Sequence, residues 1–398
     1  MPQNSSTSDA AVCGAGVAGL ALAIRLASLD RRVVVFEARS EAAIREEGAF
    51  LTLSPNAMNA LRALGCFEAV LAAGAVTTGI EIRNGSGRRL GLIDQSRDAD
   101  RFGAPSLTIA RGEFIGTLID AAIAAQVELR FSCGLCSVAE DEAAVQLRFT
   151  DGTLHRTAIA AAADGLRSTL RRAIFPEYPD AQFTGLIGDG GMVEAPVAPT
   201  NGLMRMTFGD EAFFGYLKAD GGPTYWFSSY SQPDDRVAAA DPEQHAQAVR
   251  RLHLSDPPPN SEVLACVRQL PRSYPIYGMP PLPAWSRGRV VLIGDAAHAV
   301  GPHAGQGAAM ALEDALVLAA CLAETPHFAA FGRYEALRRP RIDRVVQLTV
   351  RNSAQKRAAT PLQRSLRDIL MPLLIPLAAH ASRKIFAFRA DQRPLDPP

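Results

Sequence analysis

Acidic residues, histidines and closely spaced glycines crowd the stretch Arg289–Leu318, RVVLIGDAAHAVGPHAGQGAAMALEDALVL. Arg289–Ile293 is a β-branched run that reads as a short buried strand, ended by an abrupt turn at Gly294-Asp295. Pro302, Gly305, Gln306 and Gly307 then read as a tight loop feeding a helix that begins near Ala308. The first turn of a helix offers unpaired backbone N–H groups and a partial positive charge, so this loop is a seat for an anionic group. Asp295 supplies an acceptor where the strand ends. His298 reads as a structural residue pinning the turn, and His303, next to Pro302, is a candidate for touching a bound substrate.

The elements that must position this loop begin at the N-terminus. Ala10–Cys13 reads as a strand, Gly14-Ala15-Gly16-Val17-Ala18-Gly19 follows it, and Leu20, Ile24 and Leu26 continue on helical spacing. Glycines between a strand and a helix permit a tight turn, close approach of backbone to a pyrophosphate, and close helix–strand packing. The next strand, Arg32–Phe36, ends at Glu37, whose carboxylate is placed to take the hydroxyls of an adenosine ribose. The acid alone leaves NAD and FAD both open.

Farther along, Ala158–Ala163 leads into Asp164-Gly165-Leu166-Arg167-Ser168. With that segment the chain carries GAGVAGL, AADGLRSTLRR and GDAAHAVGPHAGQGAAMALEDA in order. These resemble the three motifs of the single-component (group A) flavoprotein aromatic hydroxylases, which share the para-hydroxybenzoate hydroxylase fold. The similarity spans about residues 10–325. It implies that FAD is the dinucleotide, and that the anion at the late loop is the reduced flavin ring. Gly14, Ala15, Gly16, Val17, Ala18, Gly19, Glu37 and Ala38 would then hold the ADP half of FAD, with Arg39 flanking the adenine and Leu135 in the same set. Arg45 and Arg111 would lie along the cofactor, Asp164 would serve FAD placement and nicotinamide use, and Asp295 would meet the ribityl or phosphate region. Pro302, Gly305, Gln306, Gly307 and Ala308 would meet the ring. The alanine run before Asp164 departs from the bulkier β-branched residues usual there, which predicts looser packing. Alanines after Gly307, where the family often has asparagine, depart from the pattern too.

Between the second and third motifs the texture changes. Gly202–Phe208, Ala212–Lys218 and Thr224–Tyr230 read as antiparallel strands, and Ile80–Arg83 with Leu90–Ile93, split by Asn84-Gly85, reads as an added hairpin. In the family such strands roof the flavin. On that analogy Phe50, Met204, Met206, Phe208, Phe214, Tyr216, Tyr225 and Phe227 would wall the substrate pocket together with Pro302 and His303. Tyr216 and His303 would be the catalytic helpers that ionise a substrate hydroxyl. Arg205 points away from Met204 and Met206 by strand alternation.

The expected fold class is α/β: a Rossmann-like FAD-binding domain, an interleaved antiparallel-sheet substrate domain and a C-terminal helical region. The expected segments are 1–79, 106–178 and 272–325 for FAD, 80–105 and 179–271 for substrate, and 326–398 for the helices. The resemblance implies that NADH or NADPH reduces FAD and that O2 then forms a flavin C4a-hydroperoxide, which hydroxylates a small phenolic or heteroaromatic molecule. An epoxidase acting on an apolar alkene or polyketide-like substrate is the alternative, and a flavin-binding protein without turnover is a third reading. A halogenase is disfavoured, because neither Trp226 nor Trp285 sits in a tryptophan-pair motif.

Lysine plus arginine and aspartate plus glutamate both number 41, so no bulk charge points to nucleic acid. Six scattered cysteines suit reduced thiols, and Cys133 with Cys136 lacks the second pair that zinc needs, so no metal is expected. Met1–Asp9 is polar and carries no export pattern, which suits a cytoplasmic protein. Ile369–Ala379 is apolar but interrupted by Pro372 and Pro376, and reads as too short to cross a bilayer, so no transmembrane segment is expected; a homodimer is left open.

Overall fold

The computed structural model describes residues 7–236, 241–354 and 360–392; the polar leader up to residue 6 lies outside them. The first strand, Thr7–Cys13, is held between two parallel neighbours, Val33–Phe36 on one side and Leu154–Ala162 on the other. Val290–Leu292 extends the sheet beyond Leu154–Ala162 and Glu128–Arg130 extends it beyond Val33–Phe36, both in parallel. Parallel strands are buried on both faces, which is why Ala10–Cys13, Val33–Phe36 and Val290–Leu292 are unbroken apolar runs. Helices Val17–Ala27 and Gly307–Glu324 pack against each other over this sheet. Both glycine-bearing turns therefore open at the carboxyl ends of the parallel strands, where ligands bind in such sheets.

The alanine run lies where neighbouring backbones come close. Ala160, Ala161 and Ala162 are fully buried at the centre of the sheet. Gly14 has φ +111°, and a Cβ there would stand 2.2 Å from the Ala163 carbonyl oxygen; one on Gly19 would stand 1.9 Å from the Gly14 carbonyl oxygen. The small residues exist because strand and helix backbones approach this closely.

A second sheet of seven strands runs in the order Tyr274–Gly278, Gln182–Val193, Thr224–Ser231, Ala212–Lys218, Leu203–Phe208, Gly79–Asn84, Arg89–Asp94. The hairpin from early in the chain joins it by parallel pairing of Gly79–Asn84 with Leu203–Phe208. Helices Pro242–Arg251 and Asn260–Ala265 cover its outer face around Phe214, Tyr216 and Trp226. A small third sheet, Phe50–Leu53, Ser106–Ala110 and Ala75–Thr77, delivers Phe50 and leads directly into the helix Arg111–Ala124.

The C-terminal segment differs from the sequence expectation. Pro361–Phe386 is one continuous helix of 26 residues that runs through Pro372 and Pro376. By length and composition it is the one described helix apolar enough to cross a membrane. Met371 and Ile375 pack it on the seven-stranded sheet beside Ile82, Leu90, Phe208 and Phe213.

Candidate active site

The N-terminal turn leaves open space beside its backbone, and the glycines mark it by contrast. Gly14 and Gly19 are required by the protein's own backbone. Gly16 is not: it sits at φ −85°, ψ −172°, which any residue adopts, and a Cβ there meets nothing within 4 Å. Gly305 and Gly307 likewise face open space. The space left at Gly16 lies at the N-terminus of Val17–Ala27, and that at Gly307 lies at the N-terminus of Gly307–Glu324. Unpaired N–H groups and the helix dipole favour an anion at both places.

Glu37 closes the first site. Its Oε2 accepts from the Ala15 N–H at 2.9 Å and its Oε1 accepts from the backbone and side chain of Arg39 at 3.0 and 3.1 Å. Ala38 stands exposed against Gly134, and the partly buried Leu135 packs on the core beside it. Arg39 also reaches Glu47 at 3.4 Å, and Glu47 in turn holds Arg111 at 3.4 Å. The Arg111 N–H donates to Ala49 O at 2.7 Å, tying the start of its helix to the segment that carries Phe50.

Asp295 lies deep in the molecule, yet its side chain is exposed, the mark of a cleft floor. Burial pushes its carboxyl up, and His298 and Arg111 partly offset that. Asp164 stands half-buried just past the end of the central strand Leu154–Ala162. One of its oxygens accepts from the Thr169 and Leu170 N–H groups at 2.7 and 3.2 Å, capping the helix Thr169–Ile174. Its Oδ1 has no hydrogen-bond partner among the described residues, and burial raises its pKa.

Arg45 departs from the expected role. Its guanidinium is committed to Glu41 at 2.8 Å and Asp120 at 2.6 Å, on the solvent side of the Arg111–Ala124 helix. Its side chain braces two helices, and Glu47 two residues later occupies the position between Arg39 and Arg111.

The loop Pro302–Ala304 is a single 3-10 turn, followed by Gly305 at φ +60° and the long helix from Gly307, one residue before the expected start. Pro302 is exposed and His303 half-buried, with the His303 carbonyl accepting from Asn352 at 3.1 Å. Gln306 is buried and held from the side: its amide donates to Ser54 Oγ at 2.9 Å and accepts from Asn56 at 3.1 Å. Asn56 also donates to Glu313 at 2.7 Å. Behind them lies a charge cluster in which Arg338, Glu313 and Asp314 are fully buried. Arg338 contacts Glu313 and Asp314, each at 2.7 Å, and Arg341 makes a two-pronged pair with Glu313. Asp314 further accepts from the Gly294 N–H at 3.0 Å and meets His298 Nε2 at 2.6 Å. His298 is thus the structural pin expected. The cluster itself was missed; its signal is the pairing of Leu312-Glu313-Asp314 on an apolar helix with arginines a helix later, which nothing but tertiary contact relates.

The seven-stranded sheet does not place all of the expected wall residues on one face. Register places Met206 opposite Gly215, Gly215 opposite Phe227, and Met204 on the same face as Leu217, Tyr225 and Met192. Phe50 joins that face, 5.4 Å from Tyr225 and 6.3 Å from Phe227 between ring centroids, and Phe208 lies at its outer end. Tyr216 and Phe214 point the other way, because Arg205 and Thr207 are their partners across the ladder. Tyr216 is buried, its hydroxyl accepts from Arg205 Nη1 at 3.1 Å, and burial raises its pKa. Its side chain therefore faces away from the proposed wall. Tyr216→Phe should leave kcat/KM of coupled turnover within about twofold of the wild type across roughly pH 6–9; a loss of about tenfold or more would return the tyrosine to the chemistry. Tyr274 and Ile276, on the edge strand, extend the wall toward Glu47, Arg111 and Gly301.

Cys133 and Cys136 are both free thiols, and no group of metal-ligating side chains occurs among the described residues.

The comparisons with known proteins agree with this geometry. A family profile described as FAD binding domain matches residues 7–349. The chain is a member of the FAD-dependent aromatic hydroxylase family. It is an FAD-dependent monooxygenase, an oxidoreductase of α/β fold. It is 32% identical over 83% of its length, and 83% of the relative, to a 3-amino-4-hydroxybenzoate 2-monooxygenase of Streptomyces cremeus. It is 30% identical over 82% of its length, and 84% of the relative, to an aurachin C monooxygenase/isomerase of Stigmatella aurantiaca. Its structure is similar to that of a variant of Klebsiella pneumoniae HpxO complexed with FAD, with TM-score 0.76 and 25% identity, covering 96% of this chain and 95% of that one. The monooxygenase's open glycines, its two helix N-termini and the exposed Asp295 fit an extended dinucleotide.

Proposed function

We propose that this monooxygenase hydroxylates an uncharged phenolic or heteroaromatic small molecule, with NADH or NADPH as reductant and O2 as oxygen source. The observation that carries the reading is the wall itself. Met192, Met204, Met206, Leu217, Tyr225, Phe227 and Phe50 share one sheet face, while Arg205 lies on the opposite one. Arg111 at the rim is held by Glu47. A carboxylate carried into such a pocket would lose hydration without a cation to replace it.

The residues proposed to hold FAD are Gly14–Gly19, Glu37, Ala38, Arg39, Arg111, Leu135, Asp164 and Asp295, with Pro302 and Gly305–Ala308 at the ring end; Glu47 joins them. FAD, when bound, supplies the hydride acceptor and the activation of O2. The chain's own work is to bind, orient and exclude water. N–H groups at Gly307 and Ala308 favour negative charge at the ring end, the Ser54–Asn56–Gln306 bonds fix the loop, and the methionine and aromatic face keeps the chamber dry. With Tyr216 on the far face, His303 is the remaining candidate for taking a proton from a substrate hydroxyl. The segments 1–79, 106–178 and 272–325 are proposed as the FAD-binding domain, 80–105 and 179–271 as the substrate domain, and 326–398 as the helical region, and the sheet pairing supports the hairpin's assignment. A cytoplasmic location is part of the same proposal.

Matched pairs of aromatic compounds, with and without a carboxylate, test the reading through NAD(P)H oxidation, product formed and hydrogen peroxide released. The neutral member of a pair should show at least about tenfold higher kcat/KM, with product matching the nicotinamide consumed. Tight coupling on a benzoate and none on its neutral partner would defeat the proposal. The wall methionines Met192, Met204 and Met206 favour epoxidation of an apolar alkene as the second reading, and an epoxide as sole coupled product would select it.

A further inference from the structure

The C-terminal helix leaves an apolar face that nothing among the described residues covers. Met371 and Ile375 seat the helix on the substrate sheet so closely that a Cβ on Gly91 would stand 2.5 Å from Ile375 Cδ1. On the other side Leu362, Leu366, Ile369, Leu373 and Leu377 recur at steps of four, three, four and four, with Leu370 and Leu374 beside them. Leu362 is 80% exposed, Leu373 71% and Leu377 67%. The stripe is about 23 Å long at the helical rise.

We propose that this face is the docking surface for a second copy of the same chain, formed by antiparallel pairing of two such helices about a two-fold axis near Ile369 and Leu370. Three observations select that occupant. The first is area: these leucines and Ile369 leave roughly 700 Å² of apolar surface in water, beyond the largest patch of an ordinary monomer and close to the ~800 Å² per partner that a stable interface uses. The second is spacing, since steps of three and four residues form a seam that interdigitates with a like helix. The third is charge. An anionic lipid surface is drawn by free basic residues and apolar faces rich in aromatics. Along the stripe itself Arg364 is paired with Asp210 and Arg367 with Asp368, the exposed Arg383 and Lys384 lie beyond its Leu377 end, and the exposed stripe contains no aromatic residue.

Sedimentation equilibrium of the full-length, FAD-loaded protein at about 10 μM reads the mass directly. The expected result is twice the chain mass of 42.4 kDa. Leu366→Lys combined with Leu373→Lys should raise the dimer Kd at least about 100-fold. Both leucines are exposed in the single chain, so flavin content and far-ultraviolet dichroism should stay at wild-type values. As a second arm, Ile369→Cys in a Cys136→Ser background should form a covalent dimer on mild oxidation, because the two-fold places that residue near its own copy. A monomeric wild type, a dimer whose Kd the lysines leave unchanged, or a wild-type monomer that floats with phosphatidylcholine–phosphatidylglycerol vesicles would each overturn the proposal, the last assigning the face to lipid.

Discussion

Gly16→Val is expected to weaken FAD binding at least about 100-fold while leaving the apoprotein's thermal midpoint within about 2 °C of the wild type. The two halves of that result come from one observation. A side chain at Gly16 meets no protein atom within 4 Å, and the backbone there is extended with negative φ, so the folded chain has no objection to it. The open volume sits at the N-terminus of Val17–Ala27, where a pyrophosphate would rest against backbone N–H groups. Gly14→Ala and Gly19→Ala are the contrasting variants. Their Cβ atoms would fall 2.2 and 1.9 Å from backbone oxygens, so they should lower the apoprotein's midpoint as well. Flavin titration followed by fluorescence, with calorimetry of the apoproteins, separates the two classes. A Gly16→Val protein that retains wild-type FAD affinity would remove the pyrophosphate from this turn.

Arg338→Met is expected to destabilise the protein by about 3–5 kcal/mol, because it leaves two fully buried carboxylates short of a cation. In thermal unfolding that is a fall of about 5–10 °C. Arg333→Met breaks a partly exposed pair with Glu324 and should cost less than ~1 kcal/mol. The same cluster carries a pH dependence. His298 and Arg338 overcome burial and hold Asp314 down at about 2, below its unfolded value. A depressed carboxylate contributes stability that is present above the ordinary carboxylate range and is lost as pH falls toward the folded value. Apoprotein stability should therefore drop by about 2–3 kcal/mol on this account between roughly pH 5 and pH 2. Asp314→Asn should flatten that portion of the curve; an unchanged slope would show that Asp314 does not hold the charge assigned to it.

The glycine turn, the acid at the end of the second strand and the late helix-start loop were legible in the sequence because each is a local device. A strand, a turn with forced glycines and a helix occupy about twenty consecutive residues, and the backbone chemistry that makes them work is written into those residues. The antiparallel strands were legible for the same reason, through alternation and turn residues.

Which face each strand presents was not. Met204, Met206, Phe208, Tyr225, Phe227 and Phe50 share one face, but Phe214 and Tyr216 lie on the opposite side, with Gly215, Leu217 and Phe213 in their place. Alternation tells that residues 214 and 216 share a side; it does not tell which side. That is settled by the register Phe208–Phe213 across the loop 209–211, and one residue more or fewer there would invert the strand. Arg45 and Arg338 mark the same boundary. An arginine's type and neighbours do not reveal whether its partner is Asp120 on another helix, a buried Glu313–Asp314 pair, or a phosphate. The sequence by itself determined the glycine turns and helix starts proposed to seat the cofactor, because a device built from backbone needs only the order of its residues. Tertiary structure alone decided the chamber's lining and the charge cluster behind it, because side chains distant along the chain acquire partners only when strands choose their register and helices their contacts.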